Sequence, residues 1–510
     1  LGADAEGEQR DRVSGLHVRA GDWDERNDER CEANRHALAA EDFERAADLV
    51  ELAIPAMRMS RQEATLRRWL DALPPEVVRI RPVLSVGYAG AMLLVGELDG
   101  VEARLRDAER WLDTTSGTTE GPDASSAEMV VVDHEEFLSL PGTIELYRAA
   151  QALARGDVPG TVRHAQRALD LAPTEDDIRR ASPSGLLGLA FWTSGDLEAA
   201  HRAYADCMAG LRRIGYVADT FGCAIALADI RITQGRLGDA MRTYEQALQL
   251  APEQGGSVLR GTADMYVGMS ELHCERNDLP TATQYLLRSQ ELGEHNGLPQ
   301  NRYRWRVAMA RIRRAEGDLG EAIDLLDEAE RVYVSDFFPN VRPVPALRAR
   351  VQVQRGALGE ALSWVRERGL SVDDDLSYLR EFEHITLARV LLAQHAEDRA
   401  ERSLHEATRL LERLLPAAEE GARTGRVIEI LVLQALAQKT AACYTGRHDI
   451  CRALAMHRRE DGHEPTVHRL LEAATVRMAS TAAIAASSRR HEAPAGARTP
   501  CARAPPHGRR

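Results

Sequence analysis

The chain has 510 residues, 44% of them hydrophobic and 28% charged, with a formal net charge of −14. That length exceeds one ordinary compact domain and suits a repeat array, and the hydrophobic share excludes a disordered chain. An acidic balance gives no general attraction to nucleic acid or to an anionic membrane surface. Aromatic residues make up only 5% of the chain, while Ala, Leu, Arg and Glu abound. These lose little side-chain freedom in a helix, so the composition favours helices.

Residues 1–20 are charged and have no apolar core, so no signal peptide is expected in them. The chain opens on Leu rather than Met, so residues 1–15 are expected to be the edge of a fragment, without order. No apolar run approaches the roughly 20 residues that span a bilayer. Seven scattered cysteines with no Cys-x-x-Cys pair lead to the expectation of a cytoplasmic chain with buried or free thiols and no membrane partner.

From residue 16 a repeat becomes visible. Short turns read GELDGVEA at Gly96, GDVPGTVR at Gly156, GDLEAAHR at Gly195, GRLGDAMR at Gly235, NDLPTATQ at Asn277, GDLGEAID at Gly317 and GALGEALS at Gly356. An earlier copy is EDFERAAD, starting at Glu41. From Gly156 onward the steps are 39, 40, 42, 40 and 39 residues. The longer step from Gly96 contains TTSGTTEGPDASSAE, residues 114–128, whose Gly/Ser/Thr composition is that of a flexible insertion.

The Gly317 copy shows the physical design. Gly317 suits a left-handed residue that ends one helix, Asp318 suits the N-cap of the next, and Glu321 completes a capping-box spacing. Leu319, Ala322, Ile323, Leu326 and Ala329 then form one apolar stripe, as do Trp305, Ala308, Met309 and Ile312 in the helix before. Each unit is a helical hairpin whose inner face neighbours must cover. The fold expected over residues 16–438 is therefore all-α, a superhelix of antiparallel helix pairs like tetratricopeptide (TPR) repeats, with a period of about 40 residues.

Two clusters are candidates for lining a ligand groove. Arg302, Tyr303, Arg304 and Arg306 open a strongly basic helix that continues through Arg311, Arg313 and Arg314. Arginine forks bind carboxylate or phosphate bidentately, and aromatic rings stack on sugars. The competing reading is a solvated face paired with Asp324, Asp327 and Glu328. Tyr378, Arg380 and Glu381 belong to a second polar and aromatic cluster, YLREFEH, ahead of an apolar face of Leu379, Phe382, Ile385, Ala388 and Leu392. Interhelical salt bridging is the competing reading there. No Gly-x-Ser-x-Gly or His-Glu-x-x-His motif occurs, and lone histidines such as His164 and His201 read as packing residues. The expectation is no catalytic residue and no metal site.

Several stretches resemble the helical-repeat region of MalT-type regulators, the large ATP-dependent, LuxR-type transcription regulators of bacteria. They are HALAAEDFERAADLVE, ATLRRWLDALPPEVVRIRPVLSVGYAGAMLLVGELDGVEARLRDAERWL, LPQNRYRWRVAMARIRRAEGDLGEAIDLLDEAERVY and YLREFEHITLARVLLA. The most specific part runs from Trp69 to Pro82. The resemblance implies a sensor and interaction surface that receives a small-molecule inducer or a regulatory protein. It also implies an ATPase before the repeats and a helix-turn-helix after them, and ATP and DNA would be partners only through those parts. A Walker A loop needs a lysine, and residues 1–438 contain none. No helix-turn-helix pattern is legible near the C-terminus, so the chain is expected to be a truncated regulator with no cofactor of its own. A stand-alone scaffold that binds peptide or protein partners is the alternative.

The character of the sequence changes at Lys439, the one lysine of the chain. Residues 439–510 carry 13 Lys+Arg against 6 Asp+Glu and hold six of the 16 histidines. A shifted reading frame in a GC-rich gene would produce this composition, and a genuine basic, disordered tail is the alternative. Cys443, His448, Cys451 and His457 have ligand types, but their spacing fits no common zinc finger.

Overall fold

The computed structural model describes residues 2–27, 29–59, 62–115, 128–250, 259–293, 296–334 and 338–440. Its backbone carries the sequence repeat directly. Gly96, Gly156, Gly195, Gly235, Gly317 and Gly356 have φ between +76° and +94°, while Asn277 has +61° and Glu41 has +58°. This is the left-handed region that a residue with a Cβ enters only at a cost. At Gly156 and Gly317 no other atom would crowd a Cβ, so the turn conformation alone accounts for the glycine.

The helices before the insertion are α1 (Gly2–Arg26), α2 (Arg30–Ala39), α3 (Phe43–Met59), α4 (Glu63–Asp71), α5 (Pro75–Arg79), α6 (Pro82–Leu94) and α7 (Val101–Thr115). After it come seven hairpins: α8 (His134–Ala154) with α9 (Val158–Leu171), α10 (Asp177–Ser194) with α11 (Leu197–Arg213), and α12 (Val217–Thr233) with α13 (Leu237–Gln249). Then follow α14 (Thr262–Glu275) with α15 (Leu279–Leu292), α16 (Asn301–Glu316) with α17 (Leu319–Arg331), α18 (Val344–Arg355) with α19 (Leu358–Glu367), and α20 (Glu381–Asp398) with α21 (Glu401–Glu420). The last described helix is α22 (Thr424–Thr440). Among the described residues there is no strand, and no helix is long and apolar enough to cross a membrane. The fold is the all-α, TPR-like array expected from the repeat.

The caps follow from the turn chemistry. Asp157, Asp196, Asp278 and Asp318 each accept a hydrogen bond from the backbone N–H three residues on, which satisfies a donor the helix start leaves open. The capping box at Asp318 is only half formed. Its own N–H donates to the Arg313 carbonyl at 2.9 Å in closing the previous helix, and the Glu321 carboxylate pairs with Arg313 instead. The Trp69–Pro82 run has a clear structural role. Pro75 and Pro82 occupy the first positions of α5 and α6, where a missing N–H costs nothing. Val77, Val78 and Arg81 are buried, and Arg81 bonds Glu44 and Asp48 on α3.

The apolar stripes pack as the periodicity requires. Ala322, Leu326 and Ala329 are buried, with Leu319 and Ile323 against the same core, and Ala308, Met309 and Ile312 are buried beside Trp305. The first helix begins at Gly2. One expectation is corrected. Leu379 lies in a 3₁₀ turn, Tyr378–Arg380, and is exposed, so the apolar face of α20 starts at Phe382. Of the proposed insertion, residues 116–127 lie outside the described residues, as do 441–510.

Among the first helices of the hairpins, α8 packs on α10, α12 on α14, α14 on α16 and α18 on α20, and α12 also touches α22. The array therefore curls enough to meet itself, with α12 against α22 and Trp192 on α10 against Tyr378. The core includes two thiols, Cys207 on α11 and Cys223 on α12, with sulfurs 3.5 Å apart. Their mutual hydrogen bond and then burial push the Cys223 thiol well above its ordinary pKa. Cys31 is exposed. Iodoacetamide on the native protein should therefore label Cys31 first and Cys223 at least about tenfold more slowly, because the thiolate is the nucleophile. Equal rates, read residue by residue by mass spectrometry, would contradict a closed α11–α12 interface.

Candidate functional site

The concave face encloses a cavity of about 170 Å³. Its walls come from one register of the repeat. Asp229 on α12, Glu271 on α14 and Arg311 on α16 each stand six residues before their turn residue, and all three line it. Trp192 on α10 and Leu347 on α18 add apolar surface, as does Phe382 on α20, while α22 contributes Arg426 and Glu429. Phe338, Asn340 and Arg342, from the connection between α17 and α18, also face this space.

Charged groups of both signs line two sides of the cavity. Arg304 lies 3.6 Å from Asp229 and 3.9 Å from Glu271, and Arg311 lies 4.0 Å from Glu271. These separations exceed hydrogen-bond length. Burial pulls the Arg304 guanidinium down, but Asp229, Tyr244 and Glu271 outweigh it and hold its pKa well above the ordinary arginine value. Arg311 also pairs with Glu275. On the α22 side, Glu429 accepts from Arg350 at 2.8 Å, Arg389 at 3.0 Å and Arg426 at 3.3 Å. Arg350 lies 3.6 Å from the Phe382 ring centroid and donates to Thr386. Aromatic groups complete the wall: Tyr303 and Tyr333 have centroids 4.9 Å apart, and Trp192 and Phe338 5.7 Å.

The candidates read from sequence divide between different places. Tyr303 and Arg304 line the cavity with Val307 and Arg311. Arg302 and Arg306 do not. A residue two places along a helix is turned by about 200°, so Arg306 points away from Arg304 and meets Glu328 on α17 at 3.0 Å. Arg302 is exposed, and its carbonyl accepts from Arg306. Arg306 is therefore salt-bridged to the next helix, while Tyr303 and Arg304 face the cavity.

Tyr378 and Glu381 sit elsewhere, in a more open cavity of about 540 Å³ between the α10–α11 turn and the α21–α22 turn. Tyr378 accepts a hydrogen bond from the Trp192 indole at 3.0 Å, and Glu381 pairs with Arg423 at 2.8 Å. Arg380 reaches Asp374 and Glu383 at 3.4 and 3.3 Å. His164 pairs with Glu145 at 2.6 Å. Cys443, His448, Cys451 and His457 lie outside the described residues. Among the described residues, no group of three or more His, Cys, Asp or Glu side chains is placed to hold a metal ion.

The profile of the family described as MalT-like TPR region matches residues 142–461. It starts later than residue 16 and runs past residue 438. The serine/threonine-protein kinase PknK of Mycobacterium tuberculosis is 28% identical over 368 residues, covering 69% of this chain and 30% of that protein. The chain thus spans less than a third of the length of the curated relatives it matches. Among solved structures, a Rap protein complexed with Competence and Sporulation Factor has a TM-score of 0.49 at 12% identity, covering 74% of this chain and 98% of that one. NprR in complex with its cognate peptide NprX has a TM-score of 0.44 at 14% identity, covering 76% and 98%.

Proposed function

The chain belongs to the MalT-like TPR family, and on that premise we propose that it is a non-catalytic sensor and protein-interaction region whose ligand occupies the concave cavity. The observation that supports this reading is the convergence of Asp229, Glu271, Arg304 and Arg311, from three successive hairpins, on one cavity that Tyr303, Phe338 and Trp192 also line. A few polar groups among aromatic walls are the usual make-up of a ligand site.

In this reading the region serves a cytoplasmic LuxR-type transcription regulator. The ligand is a small-molecule inducer or part of a regulatory protein, and ATP and DNA are handled by other parts of the regulator. The similarity to PknK supports a second reading, in which the same kind of region serves a longer protein kinase. Sequencing the gene on both sides of this stretch separates the two. A P-loop ATPase with a helix-turn-helix supports the first, and a kinase domain supports the second.

The cavity itself is tested by crosslinking. The photoreactive residue p-benzoylphenylalanine is placed at Val307, in the cavity wall, or at Leu138, which is 79% exposed on α8. Illumination in extract of the source cell should yield, at Val307 and not at Leu138, an adduct with a component of low mass. Adducts at Leu138 alone would remove the cavity from consideration.

A further inference from the structure

The cavity's arginines are not equivalent. Arg304 has Asp229 and Glu271, Arg311 has Glu275, and Arg426 has Glu429. Arg342 is half-buried in the same wall, yet among the described residues it makes no hydrogen bond and no ion pair. Its charged surroundings are Arg426 and Arg311, with Glu275 and Glu271 weaker in effect. Burial pulls its pKa below the ordinary arginine value, and the two arginines pull it further. A half-buried guanidinium beside two like charges is stabilised when an anion joins it.

We propose that Arg342, backed by Arg311 and Arg426, forms an anion subsite of the cavity that takes the carboxylate of a ligand with a compact apolar body. This rests on the cavity being the ligand site. The planar guanidinium fork matches a carboxylate bidentately. A singly charged carboxylate suits the place better than a phosphate dianion, because Glu271 and Glu275 line the same space and repel the second charge. The apolar body lies against Phe338, Phe382 and Tyr303, which share that wall. A volume of about 170 Å³ is close to that of a cavity that holds one benzene ring, so the enclosed part of the ligand is about the size of one aromatic ring. A small free acid and the C-terminal residue of a peptide both present this chemistry.

Calorimetry on the full chain tests the subsite with three probes: N-acetylphenylalanine, its C-terminal amide, and a hexapeptide free acid ending in Phe. The free acids should bind in about the millimolar range, and the amide at least tenfold more weakly. Arg342→Ala should lose at least tenfold in affinity for the acids, with Arg342→Lys between the two. Its melting temperature should not fall, because Arg342 holds no other group. Tighter binding of N-acetylphenylalanine identifies a small acid as the ligand class, and tighter binding of the hexapeptide identifies a chain end. Binding of amide and acid alike, binding unchanged in Arg342→Ala, or no binding of any probe overturns the subsite. If the Val307 adduct persists in that case, the cavity reading stands without it.

Discussion

Replacing Glu429 with alanine should destabilise the protein by about 3–5 kcal/mol, because it strands three guanidinium groups in one buried place. Glu429 is 2% exposed and Arg350 4%, so water cannot replace the lost carboxylate. Glu429→Gln keeps the volume and one acceptor but removes the charge, and should fall between alanine and wild type. Replacing Glu291, whose pair with Arg288 is more than half exposed on both sides, should change stability by about 0.5 kcal/mol or less. In a repeat array each unit is stabilised by its neighbours, so the loss should be local. Hydrogen exchange should quicken first in α18, α20 and α22, which supply Arg350, Arg389, Arg426 and Glu429. A uniform rise along the whole chain, or a loss no larger than that at Glu291, would show that the cluster does not anchor this end of the array.

Much of the fold was legible because each repeat states its own geometry. A left-handed residue and an apolar stripe of period 3.6 are local features that reappear about forty residues on, and four of the turns add an Asp cap, at Asp157, Asp196, Asp278 and Asp318. The cavity was legible only in part. Arg304 and Tyr303 stood out as members of a dense basic and aromatic helix, but the same density brought in Arg302 and Arg306, which face the other way. A stronger signal was the phase of the repeat. Asp229, Glu271, Arg311 and Arg350 all stand six residues before a turn, a position held by Ala150 and Leu189 in the two preceding hairpins. Charge recurring at one phase marks a shared inner surface. Arg342 and Phe338 had no such signal, because they reach the cavity from a connection outside the repeat. The meeting of Trp192 with Tyr378 spans 186 residues and depends on the accumulated curl of the array, which no single repeat encodes.

That meeting yields the second large effect, at Gly195. A Cβ there would stand 3.0 Å from Tyr378 Cβ and 3.1 Å from its Cγ, whereas at Gly156 nothing lies within 4 Å. Both glycines are left-handed, with φ of +88° and +76°. Gly156→Ala should therefore cost only the backbone strain, about 1–2 kcal/mol. Gly195→Ala should cost that plus the clash, about 2–4 kcal/mol together. Relief by movement is available, because the 3₁₀ turn at Tyr378 can part from α10. The variant should then lose the bond from the Trp192 indole and show a larger radius of gyration in solution scattering. The clash and the strain are separable. In a Tyr378→Gly background, where both the Cβ and the ring are gone, Gly195→Ala should cost no more than Gly156→Ala does, because the two changes share one contact. If the cost at Gly195 stays high without the Tyr378 side chain, the closure between α10 and the 378–380 turn is not what that glycine serves. If it falls, the closure is a contact in its own right. One wall of the cavity, built on Trp192 and Phe338, then depends on whether the array is shut.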